Sequence, residues 1–431
     1  MFDLGILNGK LYLDGNFVNA NLYIKSGKII DISTSFQKCK EEIDATGKVV
    51  LPGFIDPHVH FELNLGKYTS VDDFESGSIS ALFGGVTTII DFLDPISKVE
   101  ELDIFFKKRL AAANKSLVDY SFHTTLGNFE GDLNILLSKI REYGINSIKI
   151  FTAYSSSNRR TNDRLMFELF KKAKNHKIPI LIHAENEDMI TENVPINLHS
   201  KARPEISEIS EIIKIAEFLY QTNGTAYIVH TTCGSSIEEV KNRFNDILNK
   251  NIFFESCPHY FYFDNSVYDS KKGYLFTMTP PLRSKKEKQK LKNNIDNIFS
   301  IGTDHCSFNS KDKRKRKTGN IPMGIGGIEH SFVLMYSIFH ENIIDKFTIN
   351  PARFFGLYPR KGTLLPGADA DIVIFNPKYN GKISMSHTKA DYDLYLGTHI
   401  SGKIEKVIKD GLLVINQNQL VKKVKGKFLR R

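Results

Sequence analysis

The chain has 431 residues, of which 41% are hydrophobic and 25% are charged, and its formal net charge is +9. These proportions are typical of a soluble globular protein, and no run of eighteen apolar residues is available to span a bilayer. The length favours a large barrel with a second, smaller unit.

The two ends of the chain share a β-type pattern. Residues 1–5 lack the basic and apolar regions of a secretory signal, which predicts a cytoplasmic protein. Short β-patterned runs separated by turn residues follow at 9–17 and 22–30, and similar runs return at 367–375 and 406–415. We therefore predict one small composite β-sandwich domain, formed by residues 1–51 and 367–431.

The middle of the chain, residues 52–366, alternates short apolar runs with longer amphipathic segments. Helix-like stretches at 163–174 and 207–219 are typical of the second kind. This alternation predicts an α/β fold, a (β/α)8 TIM-like barrel, although an open doubly wound sheet fits the same periodicity. The eight candidate strands cover residues 54–55, 86–90, 120–123, 147–151, 180–183, 226–230, 252–255 and 299–304.

Polar side chains stand at the carboxyl ends of five of these candidate strands. In a barrel those ends converge on one mouth, where active sites are built. Each residue alone also fits a plain structural role, and an H-x-H pair by itself is equally consistent with incidental polar residues. Together, four imidazoles and a carboxylate are the donors that zinc-like ions prefer. The residues are His58, His60, Lys149, His183, His230 and Asp304.

Lys149 is the least expected member of this set. It lies between Ile148 and Ile150 in an apolar strand. A buried lysine must shift its pKa, find a counter-charge or be chemically modified. The sequence therefore predicts a special role for this amine.

Basic runs and cysteines carry less information. Residues 311–317 and 422–427 are rich in lysine and arginine, but no aromatic residues interleave with them as a nucleic-acid surface would need. We interpret both runs as solvated surface and expect neither nucleic acid nor membrane as a partner. The four cysteines, Cys39, Cys233, Cys257 and Cys306, are widely spaced and are predicted to be buried thiols.

Five segments carry a family resemblance, at residues 54–63, 84–92, 149–154, 183–186 and 302–308. They resemble the dihydropyrimidinase and hydantoinase branch of the cyclic amidohydrolases, within the amidohydrolase superfamily. The similarity extends over nearly the whole chain, including residues 361–371, where the barrel returns to the β domain.

The resemblance implies a binuclear metal centre. His58, His60 and Asp304 match the ligands of one divalent ion, and His183 and His230 match those of the other. Lys149 matches a lysine that carbon dioxide converts to a bridging carbamate, and zinc is the expected metal. A bridging hydroxide attacks the ring carbonyl, Asp304 serves as general base and then acid, and Tyr154 donates to the oxyanion.

The resemblance also implies how a ring would be bound. Thr279 and Met323 occupy positions that contact the ring largely through backbone groups, although the family usually has Ser and Asn there. Leu65 and Phe151 are candidates to surround the ring substituent. Glu62 stands where dihydroorotases place an arginine, which favours an uncharged ring over dihydroorotate. The pair His330 and Ser331 departs from a common Asp-Arg pair.

The predicted activity is hydrolysis of a dihydropyrimidine or hydantoin ring to an N-carbamoyl amino acid. Dihydroorotase and allantoinase are the enzymatic alternatives. A non-catalytic scaffold is the alternative from another class, because relatives in this branch keep the barrel but lose metal ligands. The expected partner is a small cyclic ureide or imide, and the resemblance implies a homotetramer or homodimer.

Overall fold

The computed structural model describes residues 1–431 and contains seventeen strands and thirteen α-helices. No helix has both the length and the apolar character needed to cross a membrane. The strands are β1 (Phe2–Leu13), β2 (Asn16–Lys25), β3 (Lys28–Ser33), β4 (Cys39–Asp44), β5 (Val49–Pro52), β6 (Phe54–Asp56), β7 (Val86–Phe92), β8 (Asp119–Thr125), β9 (Ile148–Phe151), β10 (Ile180–His183), β11 (Ala226–Ile228), β12 (Ile252–Ser256), β13 (Ile298–Ile301), β14 (Ile372–Lys382), β15 (His399–Lys409), β16 (Leu412–Asn416) and β17 (Gln419–Leu420).

The helices mostly lie between consecutive strands of the barrel. They are α1 (Phe74–Phe83), α2 (Glu101–Ala113), α3 (Leu133–Glu142), α4 (Asp163–Asn175), α5 (His199–Ala202), α6 (Glu205–Thr222), α7 (Gly234–Arg243), α8 (Pro258–Tyr262), α9 (Lys285–Asn293), α10 (Ser310–Lys313), α11 (Ser331–Phe339), α12 (Ile344–Phe347) and α13 (Ile349–Phe354).

Helix α4 shows why the amphipathic segments fold as predicted. The Asn162 side chain accepts a hydrogen bond from the Leu165 amide and caps the first turn. Met166, Leu169, Phe170 and Ala173 are buried, a spacing that places them on one face of the helix. That face packs into the barrel core, and the polar face remains in solvent.

Strands β6 to β13 form a parallel eight-stranded sheet in sequence order. Its two edge strands are β6 and β13. The segments that follow them meet, because Val59 and His305 form a parallel bridge. The Asp304 amide donates to the His58 carbonyl, and the His60 amide donates to the His305 carbonyl, both at 2.9 Å. The predicted TIM-like barrel is confirmed, and the closure brings the H-x-H pair beside Asp304.

The remaining nine strands form one sheet from both ends of the chain. Its order is β17-β16-β15-β14-β5-β1-β2-β3, with β4 pairing with β1. Strand β5 pairs with β14, so that Val50 lies opposite Ile374. A separate hydrophobic cluster, which includes Leu22 and Ile372, lies beneath this sheet. The ends of the chain therefore build a composite β unit, as the sequence predicted.

An ionic cluster joins this sheet to the barrel. Lys361 Nζ lies 2.6 Å from Asp119 of β8 and 2.6 Å from Asp371, and Lys409 Nζ lies 2.8 Å from Asp119. All four side chains are buried. Buried charges are tolerated only when they are paired in this way.

Two surface predictions need correction. Most of the basic run at 311–317 is exposed, but Lys313 is fully buried, because α10 turns its side chain inward toward two backbone carbonyls. Cys233, Cys257 and Cys306 are buried thiols as expected, whereas Cys39 is partly exposed at the edge of the end sheet.

Candidate metal centre

Three side chains meet where the barrel closes. His58 Nε2 and His60 Nε2 are 3.2 Å apart, and they lie 3.2 Å and 3.1 Å from Asp304 Oδ1. Neighbouring ligand atoms around a tetrahedral ion with bonds of 2.0 to 2.2 Å are separated by about 3.4 Å. These three atoms therefore have the spacing of ligands to one ion.

Asp56, at the end of β6, holds together the two loops that carry the candidate ligands His58 and Asp304. Its carboxylate accepts hydrogen bonds from the amides of His58 and Thr303, each at 3.1 Å. Burial raises the pKa of Asp56 to about 7, even though these hydrogen bonds favour the charged form. Asp56 thus fixes His58 relative to Asp304 without entering the ligand set.

Glu255 orients the first imidazole. Its Oε1 lies 2.7 Å from His58 Nδ1, and the same oxygen accepts the His230 amide at 3.1 Å. With Nδ1 donating to a carboxylate, His58 Nε2 carries the lone pair that faces the site. Sequence reasoning missed Glu255, although its position at the end of the apolar run 252–255 was an available signal.

His183 and His230 form a second pair beside the first. His183 Nδ1 lies 3.1 Å from His230 Nε2, and His183 Nε2 lies 2.8 Å from Glu185. Burial lowers the pKa of both imidazoles, which favours the neutral form that binds metal ions. Arg203 pairs with Glu185 at 2.6 Å and holds this carboxylate in place. Sequence reasoning did not assign Glu185, although it lies two residues after His183.

Lys149 reaches the same space from β9. Its side chain is buried, with Nζ 5.1 Å from the centre of the Phe151 ring and 5.7 Å from that of Phe92, and it makes neither a hydrogen bond nor an ion pair. Burial lowers its pKa to about 7, although the charges of Asp304 and Glu255 act in the opposite direction. The lowered pKa favours the neutral form of this amine, which is the nucleophilic form.

Tyr154 stands at the edge of the predicted metal ligands. Its backbone is left-handed, with φ of 76°, in the turn that follows β9. The hydroxyl donates to Thr279 Oγ1 at 2.8 Å and accepts from Arg203 Nη2 at 3.1 Å. The Tyr154 ring centre lies 5.0 Å from that of His183. The hydroxyl is thus held by two partners close to the second imidazole pair.

One cavity of about 500 Å³ contains all of the predicted site residues. The six predicted ligands line it, together with Tyr154. The four predicted ring contacts, Leu65, Phe151, Thr279 and Met323, line it as well. The cavity is large enough for a small ring and its substituent.

Three residues that the sequence singled out do not line this cavity, namely Glu62, His330 and Ser331. Glu62 has a left-handed φ of 49°, its amide donates to the Asp72 carbonyl, and one buried carboxylate oxygen has no partner. The structure therefore does not support a contact between Glu62 and a substrate. His330 lies outside this cavity and pairs with Asp393 at 3.1 Å, and Ser331 is buried at the start of α11.

The donor set fits divalent metal ions. His60 Nδ1 and His230 Nδ1 are buried without a protein partner, so no protein hydrogen bond fixes the tautomer of either ring. The tautomer that is protonated at Nδ1 presents the Nε2 lone pair to the site. Neutral imidazoles and a carboxylate at these spacings suit borderline divalent ions better than Mg²⁺ or Ca²⁺, which prefer oxygen ligands. The fold and the site together define a metal-dependent hydrolase barrel.

Comparisons with known proteins identify the family. Residues 49–414 match the model of the Amidohydrolase family, and the chain belongs to that family. It is 32% identical to the D-hydantoinase of Geobacillus stearothermophilus, over 99% of this chain and 96% of that protein. It is 30% identical to the D-hydantoinase of Ralstonia pickettii, over 100% and 99% of the two chains.

Solved structures agree with this assignment. A crystal structure of D-hydantoinase superposes with a TM-score of 0.92 at 31% identity, covering 100% of this chain and 99% of the other. The dihydropyrimidinase from Brevibacillus agri NCHU1002 gives 0.92 at 28% identity, with the same coverage. The resemblance to the hydantoinase and dihydropyrimidinase branch is confirmed.

Proposed function

We propose that this chain is a cyclic amidohydrolase that opens a hydantoin or dihydropyrimidine ring to an N-carbamoyl amino acid. The observation that carries the proposal is the convergence of His58, His60 and Asp304 in one cavity with Tyr154. The relatives named D-hydantoinase and dihydropyrimidinase, which align along the full chain, support the same substrate class. We assign the chemistry to the barrel, residues 52–366.

Two divalent ions complete the proposed site, and the imidazole-rich donors favour zinc. His58, His60 and Asp304 would hold one ion, and His183 and His230 the other. Lys149 would bridge them after carboxylation by carbon dioxide, which converts an uncompensated amine into an anionic ligand. When bound, the ions polarise the ring carbonyl and lower the pKa of a water molecule.

Asp304 is the proposed proton carrier. Burial favours its neutral form, but the neighbouring His58 and His60 outweigh this effect and keep the pKa of Asp304 well below its usual range. The carboxylate is thus ionised at neutral pH and can accept the proton of the attacking water. It then returns that proton to the ring nitrogen as the amide bond breaks.

Tyr154 and the cavity wall would position the ring. The Tyr154 hydroxyl is a neutral donor, because burial raises its pKa, and it can hydrogen bond to the carbonyl oxygen as negative charge develops. Backbone groups of Thr279 and Met323 would bind the ureide or imide edge. Leu65 and Phe151 provide apolar surface for the substituent.

A substrate panel tests this proposal. Protein loaded with zinc in the presence of bicarbonate is assayed with dihydrouracil, dihydrothymine, hydantoins, allantoin and dihydroorotate, and chelated protein serves as the control. We expect ring opening of the hydantoins or dihydropyrimidines and no turnover after chelation. Exclusive turnover of dihydroorotate or allantoin would support the alternative enzymes, and a metal-free, inactive native protein would support the scaffold.

Two further properties belong to the same proposal. We infer a cytoplasmic protein that assembles as a homotetramer or homodimer, by analogy with the family. Light scattering on the purified chain checks the assembly, and a monomeric mass would contradict it.

A further inference from the structure

Lys313 is buried in a place where no acidic side chain neutralises it. Its Nζ donates to the Thr277 carbonyl at 2.7 Å and to the Gly324 carbonyl, and it forms no ion pair. Burial lowers its pKa to about 7. Burying an amine costs free energy unless it is hydrogen bonded, so these two carbonyls account for its position in the fold.

The two carbonyls belong to the two segments that border the ring-binding part of the cavity. Thr277 lies two residues before Thr279, and Gly324 directly follows Met323. Thr279, Met323 and Gly324 all line the cavity. The Gly324 amide also donates to the Thr277 carbonyl at 3.1 Å, so that this oxygen accepts from both Gly324 and Lys313.

We infer that Lys313 is a positioning residue that fixes the distance between the backbone of Thr279 and that of Met323. This distance sets the width of the ring-recognition slot, the part of the cavity between these two residues. The inference rests on the proposed function, because it assigns the slot to a cyclic ureide or imide. Backbone recognition requires this kind of support, since a peptide group cannot adjust by changing rotamer. A displacement of about 1 Å is enough to lose such contacts.

Lys313 lies outside the metal ligand set, and this separates its role from that of the metal centre. Neither carbonyl that it contacts belongs to a predicted ligand, and its side chain does not line the cavity. Loss of Lys313 should therefore weaken binding of the ring in ground state and transition state alike. An effect of that kind appears in KM rather than in kcat.

The test compares zinc-loaded wild type with Lys313→Met, which keeps most of the apolar stem of the side chain but removes the ammonium group and its donors. We expect KM for the preferred ring to rise by about tenfold, the equivalent of one or two buried hydrogen bonds. We expect kcat to change by less than about threefold, with unchanged metal content. Lys315→Met, at an exposed position of the same basic run, is the matched control and should match wild type.

Hydrogen exchange supplies a measurement that does not depend on turnover. The Gly324 amide should exchange faster in Lys313→Met than in wild type, because the carbonyl that it shares with Lys313 is less well held. If no cyclic ureide is turned over by wild type but this exchange difference is present, the proposed function fails while the link between the two segments stands.

Other outcomes would overturn the inference. An unchanged KM, or a fall in kcat and metal content that parallels the rise in KM, would reduce Lys313 to an ordinary packing residue. If Lys313→Met does not fold, Lys313→Gln replaces it under the same criteria, since its shorter amide cannot span both carbonyls.

Discussion

Glu255 Oε1 lies 2.7 Å from His58 Nδ1, and both side chains are almost completely buried. The carboxylate fixes the tautomer and the orientation of His58, a predicted metal ligand, through the ring nitrogen that does not face the site. Such partners of ligating histidines raise ligand basicity, and their loss reduces metal affinity by about 10- to 100-fold.

Glu255→Gln should therefore weaken zinc binding by about 10- to 100-fold, as measured by competition with a chromophoric chelator. Tyr227→Phe is the matched control, because it removes a hydroxyl that donates to the other Glu255 oxygen at 2.9 Å and leaves the His58 contact intact. It should change affinity much less. Equal affinities of wild type and Glu255→Gln would remove the orienting role.

Lys149→Ala should abolish binding of one of the two metal ions and all measurable turnover. The physical reason is that the bridging anion and its charge neutralisation are lost together. Metal analysis gives the stoichiometry, and native mass spectrometry of wild type should show the added mass of one carbon dioxide. Lys174→Ala, at an exposed position of α4, is the control. Full activity with two bound metals in Lys149→Ala would contradict the carbamate assignment.

Asp304→Asn should lower kcat by about 10²- to 10⁴-fold, because the amide cannot carry the proton from water to the leaving nitrogen. The KM should change far less if ring contacts are made by other groups. Steady-state kinetics at matched metal occupancy measures both constants. A rate within the error of wild type would exclude Asp304 as the proton carrier.

Tyr154→Phe should lower kcat by about 10²- to 10³-fold, the usual effect of removing one oxyanion donor. Thr279→Val is an informative comparison, since it removes the acceptor of the Tyr154 hydroxyl but keeps the hydroxyl itself. We expect it to have a smaller effect on kcat. Tyr154→Phe with unchanged kcat would make this side chain an ordinary wall residue.

Lys361→Met should destabilise the fold by about 3 to 5 kcal/mol, because it leaves the buried Asp119 and Asp371 short of a counter-charge. Urea unfolding measures the change. Lys28→Met is the control: Lys28 pairs with Asp369 at 2.6 Å, but its side chain is 44% exposed. Its removal should cost less than about 1 kcal/mol. Equal losses of unfolding free energy in the two variants would contradict the distinction between a buried and an exposed ion pair.

Asp369 also lies against this cluster, 3.0 Å from Lys361 Nζ, and it predicts the acid dependence of stability. Burial opposes ionisation of Asp369, but Lys361 and two other cations outweigh it, and the pKa of this carboxyl is lowered in the folded protein. A lowered folded pKa contributes stability above the unfolded value of about 4, which is lost as the pH falls. Wild type should therefore lose stability below about pH 4, and Lys361→Met should lose less over that range, as followed by thermal unfolding.

The sequence by itself determined the barrel and brought together its candidate metal ligands. The apolar residues of a strand or a helix recur with the period of that element, so their spacing is readable from the local sequence. Helix α4 folds as this spacing predicts. His58, His60 and Asp304 stand directly behind such runs, so parallel strands alone bring them to one mouth. The local chain therefore carries enough information to place them.

Tertiary structure decided what surrounds these candidate ligands. Glu255 becomes the partner of His58 only when β12 and β6 lie in one closed barrel, and its position at the end of an apolar run does not indicate which side chain it contacts. Lys313 belongs to a run that is mostly solvated, and only the packing of α10 against Thr277 and Gly324 buries it. Glu62, next to the strongest motif, has a left-handed backbone and does not line the cavity. Long-range packing and single backbone dihedrals leave no periodic signal in a sequence, and for that reason these roles required the structure.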